Sequence, residues 1–173
     1  MTVRPILIAP HPDLKRHAEP VAEVNADVLR LMDDMLESMY AANGIGLAAP
    51  QVGVLNRVIV IDVARPDEPP APLCLANPEI LWQSPETVLA EEGCLSLPDQ
   101  FADVVRSERI RLRFVDRDNR SQEIEATGLL ARCIQHEVDH LEGTLFVDHV
   151  SALKRNIILR RLAKSRRHVA AAE

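Results

Sequence analysis

Two imidazoles spaced to share one metal ion stand in His136-Glu137-Val138-Asp139-His140. On a helix, at about 100° per residue, positions 136 and 140 lie about 40° apart and reach a single cation. Glu137 then projects about 100° from His136, beside the ion, where a carboxylate can hold a water and take its proton. Cys133 and Leu129 continue the same face. A catalytic divalent ion takes three protein ligands and leaves one position open. Downstream, Glu142, Asp148 and His149 could supply the third, but without a spacing motif. Upstream, Glu91-Glu92-Gly93-Cys94-Leu95-Ser96-Leu97-Pro98 offers a cysteine, and a thiolate with two imidazoles makes a tetrahedral site with room for one water. Cys94 is the better candidate. A third stretch runs Gly44-Ile45-Gly46-Leu47-Ala48-Ala49-Pro50-Gln51. The chain has only six glycines, and Gly44, Gly46, Gly93 and Gly143 fall in or beside these three stretches. Such placement points to open backbone where a substrate approaches. No Lys-Ser/Thr follows the glycines, which excludes a phosphate loop. The Gln51 amide can donate to a carbonyl oxygen.

The elements that must position these groups are readable around them. Val28, Leu31, Met32, Met35, Leu36, Met39 and Tyr40 form one apolar stripe at helical spacing, so residues 25–43 are expected as a helix. Asn25 or Asp27 can cap its start, and Asn43-Gly44 stops it. Residues 58–63, Val-Ile-Val-Ile-Asp-Val, read as a buried strand; residues 65–72, with four prolines, read as a loop. From 74 to 116 the pattern predicts short strands punctuated by Pro78, Pro85 and Pro98. Strict alternation over 109–114 predicts a half-buried strand, with a turn at 116–119 and a partner strand at 122–126. The H-E-x-x-H helix is expected from Gly128 to Glu142, and a basic helix from about Ser151. This order implies an α+β domain with a mainly antiparallel sheet.

The three stretches together resemble the peptide deformylase family. Its motifs G-x-G-x-A-A-x-Q, E-G-C-L-S and H-E-x-D-H-L-x-G stand here without a mismatch as residues 44–51, 92–96 and 136–143. The resemblance implies antiparallel strands around a central metal-binding helix, with an N-terminal and a C-terminal helix. It implies hydrolysis of the N-formyl group from the initiator methionine of new polypeptides, releasing formate. By resemblance Cys94, His136 and His140 are the ligands and Glu137 the acid and base that activates water. The Gln51 side chain and the Leu95 backbone N–H are the oxyanion donors, Gly46 a backbone contact to substrate, and Ile45, Leu129 and Cys133 the methionine slot. The implied metal is Fe2+, which Zn2+, Ni2+ or Co2+ can replace; ligand softness alone favours zinc. Ala90 and Arg132 occupy positions that are bulky aliphatics in some relatives, so the resemblance leaves the slot's shape open there.

Composition bounds the rest. With 173 residues, 47% apolar, the chain is expected to form one domain over 1–173, its core mostly aliphatic since only five residues are aromatic. No stretch approaches the roughly 20 apolar residues of a membrane span. The first ten residues lack the pattern of a secretion signal, and three cysteines give no disulfide framework, so a cytoplasmic protein is expected. Residues 1–150 hold 13 Lys and Arg against 25 Asp and Glu, whereas residues 151–173 hold seven against one. An acidic body with a basic helical tail points either to a solvated helix packed on the body or to a partner for the tail, which the resemblance makes the ribosome near its exit tunnel.

Overall fold

The computed structural model of the chain describes residues 2–170, so positions 171–173 of the expected basic tail lie outside the described residues. Helix α1 (Ala26–Ala41) buries Val28, Leu31, Met32, Met35 and Met39, the expected stripe. Asn25 caps it, its side-chain oxygen accepting from the Asp27 and Val28 N–H groups at 3.1 Å each. Tyr40, at the edge of the stripe, is half-exposed and donates its hydroxyl to Asp62 at 2.6 Å.

Strands β1 (Gly46–Ala48), β2 (Val58–Ile61) and β3 (Leu73–Gln83) pair antiparallel with β6 (Arg109–Val115) and β7 (Ser121–Thr127) in the order β1-β2-β3-β6-β7. A separate hairpin is formed by β4 (Thr87–Cys94) and β5 (Leu97–Ser107). Helix α2 (Gly128–Leu141) carries the H-E-x-x-H residues, and the exposed helix α3 (Ala152–Ala170) follows. Strand β2 is apolar at every position because both faces of the sheet are covered. Ile59 and Ile61 pack with Ala131, Cys133 and Ile134 of α2, while Val58 and Val60 pack against α1. A third cluster joins Ala102 and Val104 of β5 to Ile158 and Leu162 of α3.

Two expectations change. The stretch 74–116 forms long strands, not short ones: β3 and β5 each span 11 residues and run through Pro78 and Pro98. Register shifts absorb the prolines, one between Ala76 and Glu79 beside Asn77 at φ 49°, the other at Gly93/Cys94. The strand expected over 58–63 stops at Ile61, because the buried Asp62 carboxylate accepts from the Ala64 and Ala71 N–H groups and closes the proline-rich loop. At the end of α2, Gly143 takes φ 70°, and a Cβ there would lie 2.5 Å from the Lys15 carbonyl oxygen. Only glycine fits that stop.

Candidate metal centre

Helix α2 and the tip of the β4·β5 hairpin face each other. Cys94 Sγ lies 3.3 Å from His140 Nε2, and one donor atom each from Cys94, His136 and His140 fall within 4.8 Å of one another. Donors on a tetrahedral ion, with bonds of about 2.0–2.3 Å, stand about 3.3–3.6 Å apart, so this thiol and two rings fit a divalent cation. The downstream candidates are engaged elsewhere. Glu142 pairs with Arg57 and His17, Asp148 with Lys15 and Arg155, and His149 with Asp139.

The imidazoles are aimed by their other nitrogens. His136 Nδ1 lies 2.9 Å from Glu92 Oε2, leaving Nε2 for the cluster. Glu92 in turn accepts two bonds from Arg106, at 2.8 and 3.0 Å, and Arg106 donates to Asp139 at 2.6 Å. Burial alone would raise the Glu92 carboxyl, but the His136 and Arg106 hydrogen bonds hold it down at about 2. Burial would lower His136, yet its Cys94 and Glu92 partners push it well above the usual range; burial and the charge on His136 push His140 well below it. To hold a cation, His136 would have to give up its Nε2 proton.

Glu137 is 4% exposed, and its Oε2 has no hydrogen-bond partner among the described residues. Burial pushes this carboxyl up to about 7, a poise suited to taking and returning a proton. It stands against Gly46 of β1: a Cβ on that residue would run into Glu137 Oε1 and lie 2.8 Å from Cys133 Sγ. The missing side chain at 46 is what lets the strand pass so close. Gln51 is also buried, and its orientation is set by one bond: Oε1 accepts from the Ala48 N–H at 2.8 Å. Its NH2 therefore faces the cluster, 3.1 Å from Ser96 Oγ and 3.6 Å from Cys94 Sγ.

A cavity of about 540 Å³ opens over these groups. All seven of the other expected contacts and donors reach it: Ile45, Gly46, Gln51, Leu95, Leu129, Cys133 and Glu137 lie on its wall. Arg132 lines it too, whereas Ala90 does not. Arg106 carries no motif in the sequence, and Asp139 and Ser96 stand inside motifs with no role assigned to them there. The available signal was an arginine at the inward position of β5, in step with the buried Ala102 and Val104, which demands a carboxylate partner.

The polypeptide deformylase family model matches residues 3–156. The chain belongs to the polypeptide deformylase family. The family removes the N-formyl group from nascent polypeptides, and the chain is a hydrolase of that class. It is 55% identical to a peptide deformylase of Methylocella silvestris over 168 residues, covering 95% of this chain and 86% of the relative. A relative from Agrobacterium fabrum is 50% identical, covering 96% and 98%. A crystal structure of peptide deformylase from Ehrlichia chaffeensis superposes with a TM-score of 0.94 at 38% identity, covering 98% of this chain and 99% of that one. The same enzyme in complex with actinonin gives 0.91 at 40% identity, covering 95% and 98%. The family shares the α+β architecture seen here, and its members are metalloenzymes.

Proposed function

We propose that Cys94, His136 and His140 hold one divalent ion, Fe2+ in the cell, and that Glu137, Gln51 and Leu95 carry the deformylation of formyl-methionyl peptides. The convergence of a thiol, two rings and an orphaned buried carboxylate in one cavity carries this reading. A bound ion supplies Lewis acidity and lowers the pKa of water toward neutrality. Glu137 takes the proton of the water that attacks the formyl carbon. Gln51 Nε2 and the Leu95 backbone N–H donate to the carbonyl oxygen as it gains charge. Glu137 then gives its proton to the departing amine as the C–N bond breaks, leaving formate and a free N-terminus. Ile45, Leu129 and Cys133 form the apolar slot for the methionine side chain, and Gly46 lends backbone to the substrate.

Residues 1–173 act as one unit in the cytoplasm; among the described residues no helix is long and apolar enough to cross a membrane. Lys154, Arg160, Arg161 and Lys164 are exposed on α3, and the ribosome near its exit tunnel is the partner their charge suits.

Formate release from a formyl-Met peptide, with casein as control substrate, tests the activity. Activity on the formyl peptide alone is expected; casein cleavage would overturn the reading. The metal is tested by loading Fe2+ or Ni2+ and exposing each form to air. The iron form should decay faster, because ferrous iron and its thiolate both oxidise. Equal decay would remove iron from the proposal.

A further inference from the structure

Two contacts fix how α2 lies along β4: Cys94 meets His140 at 3.3 Å, and Glu92 meets His136 at 2.9 Å. Two residues along a strand advance about 6.8 Å and four along a helix about 6 Å, so the two elements keep step. Continued one step further, that spacing sets Arg132 level with Ala90, a residue with only a methyl side chain. In a helix the Cα–Cβ bond leans toward the N-terminus, so the Arg132 side chain points away from His136, out along the cavity wall.

Among the described residues Arg132 is the only Lys or Arg lining the cavity, and no carboxylate forms a salt bridge with it. The nearby Arg106 is buried and consumed by Glu92 and Asp139. Glu91 and Asp99 line the same cavity, but neither lies within salt-bridge distance of Arg132. The cavity thus has one half-buried cation that no carboxylate contacts, so a carboxylate on a bound chain can pair with it directly.

We propose that Arg132 determines specificity within the deformylase reaction: it selects formylated chains with a carboxylate side chain at the second or third residue. This rests on the proposed reading of the site. Arg132 stands one helical turn, about 6 Å, from His136, and an extended peptide advances about 3.3–3.6 Å per residue, so the second or third residue of a chain held at the cluster spans that distance. The formylated N-terminus carries no charge of its own, so the side chains that follow supply the electrostatic discrimination.

The test compares kcat/KM for formyl-Met-Asp-Ala and formyl-Met-Ala-Asp with their Lys counterparts and with formyl-Met-Ala-Ala, at low and at high salt. A half-buried ion pair predicts an Asp over Lys preference of about three- to five-fold at one of the positions, carried by KM and shrinking with salt. In Arg132→Met the ratio falls to one or below, because Glu91 and Asp99 remain; Arg132→Lys restores part of it. Calorimetric titration of the product peptides Met-Asp-Ala and Met-Lys-Ala reads the same difference without turnover. A ratio of one or less at both positions in the unaltered enzyme, or an unchanged ratio in Arg132→Met, overturns the proposal. Lack of turnover on formyl-Met-Ala-Ala would instead overturn the deformylase site, and the titration would still decide the role of Arg132.

Discussion

Helices α2 and α3 divide the work of the chain in opposite ways. The 14 residues of α2 sit between the sheet and the β4·β5 hairpin, and it buries Gln135, Glu137 and His140 beside Ala131, Ile134 and Leu141. Among the described residues, helix α3 buries Ile158 and Leu162 against the body, with Leu159 packed beside them and Leu153 73% exposed. A polar group on α2 has been taken from water, so its partners and its proton are dictated by neighbours. An exposed charge on α3 that pairs with nothing on the body, such as Arg160 or Lys164, keeps its hydration and acts at long range, through the field it adds. Chemistry needs the first environment, and the recruitment proposed for α3 needs only the second.

Substitutions on the two sides should therefore differ by orders of magnitude in what they change. Glu137→Ala is expected to lower turnover by about 10²–10⁴ while the metal stays bound, since the carboxylate is no ligand. Metal content measured beside formate release checks this, and near-full activity with metal retained would remove Glu137 from the mechanism. Gln51→Ala should cost about 10²–10³ in kcat with a smaller change in KM. A change confined to KM would make Gln51 a general binding residue. Arg106→Leu leaves the half-buried Glu92 and Asp139 without their cation and loosens the ring of His136. Metal affinity should fall by about 10- to 100-fold, measured by competition with a chelator. At the far end of the scale, deletion of residues 164–173 should leave hydrolysis of a short formyl peptide unchanged. It should weaken co-sedimentation with ribosomes at low salt, where counterion release is strongest. Unchanged sedimentation would reduce α3 to a solvated helix.

What could be read from the sequence follows the same division by distance along the chain. The pairing of His136 with His140 is local, set by one turn of helix, and so is the stripe that makes α1. Cys94 could be proposed from its glycine and its chemistry, but its approach to His140 spans 46 residues and depends on the hairpin. The Arg106 network was out of reach because its partners lie 14 and 33 residues away and share no motif with it. Proline misled where a bulge could accommodate it, as at Pro78 in β3. The acidic body and basic tail were plain in the composition, yet composition gives no geometry: Arg155 and Arg166, counted with the tail's free charges, turn back to Asp148 and to the Ala9 carbonyl.

Strand β2, covered on both faces, also governs how the molecule breathes. Its amides at Val58–Ile61 are shielded by α1 on one side and α2 on the other, and such groups exchange their hydrogens only when the whole domain opens. Strand β1 pairs with it from Gly46 to Ala48, so the wall against which Glu137 rests is clamped to the slowest-opening part of the protein. The opposite wall, the β4·β5 hairpin that delivers Cys94, belongs to no larger sheet. Deuterium should therefore enter the hairpin long before β2, and one side of the cavity can yield to a passing chain while the other stands still.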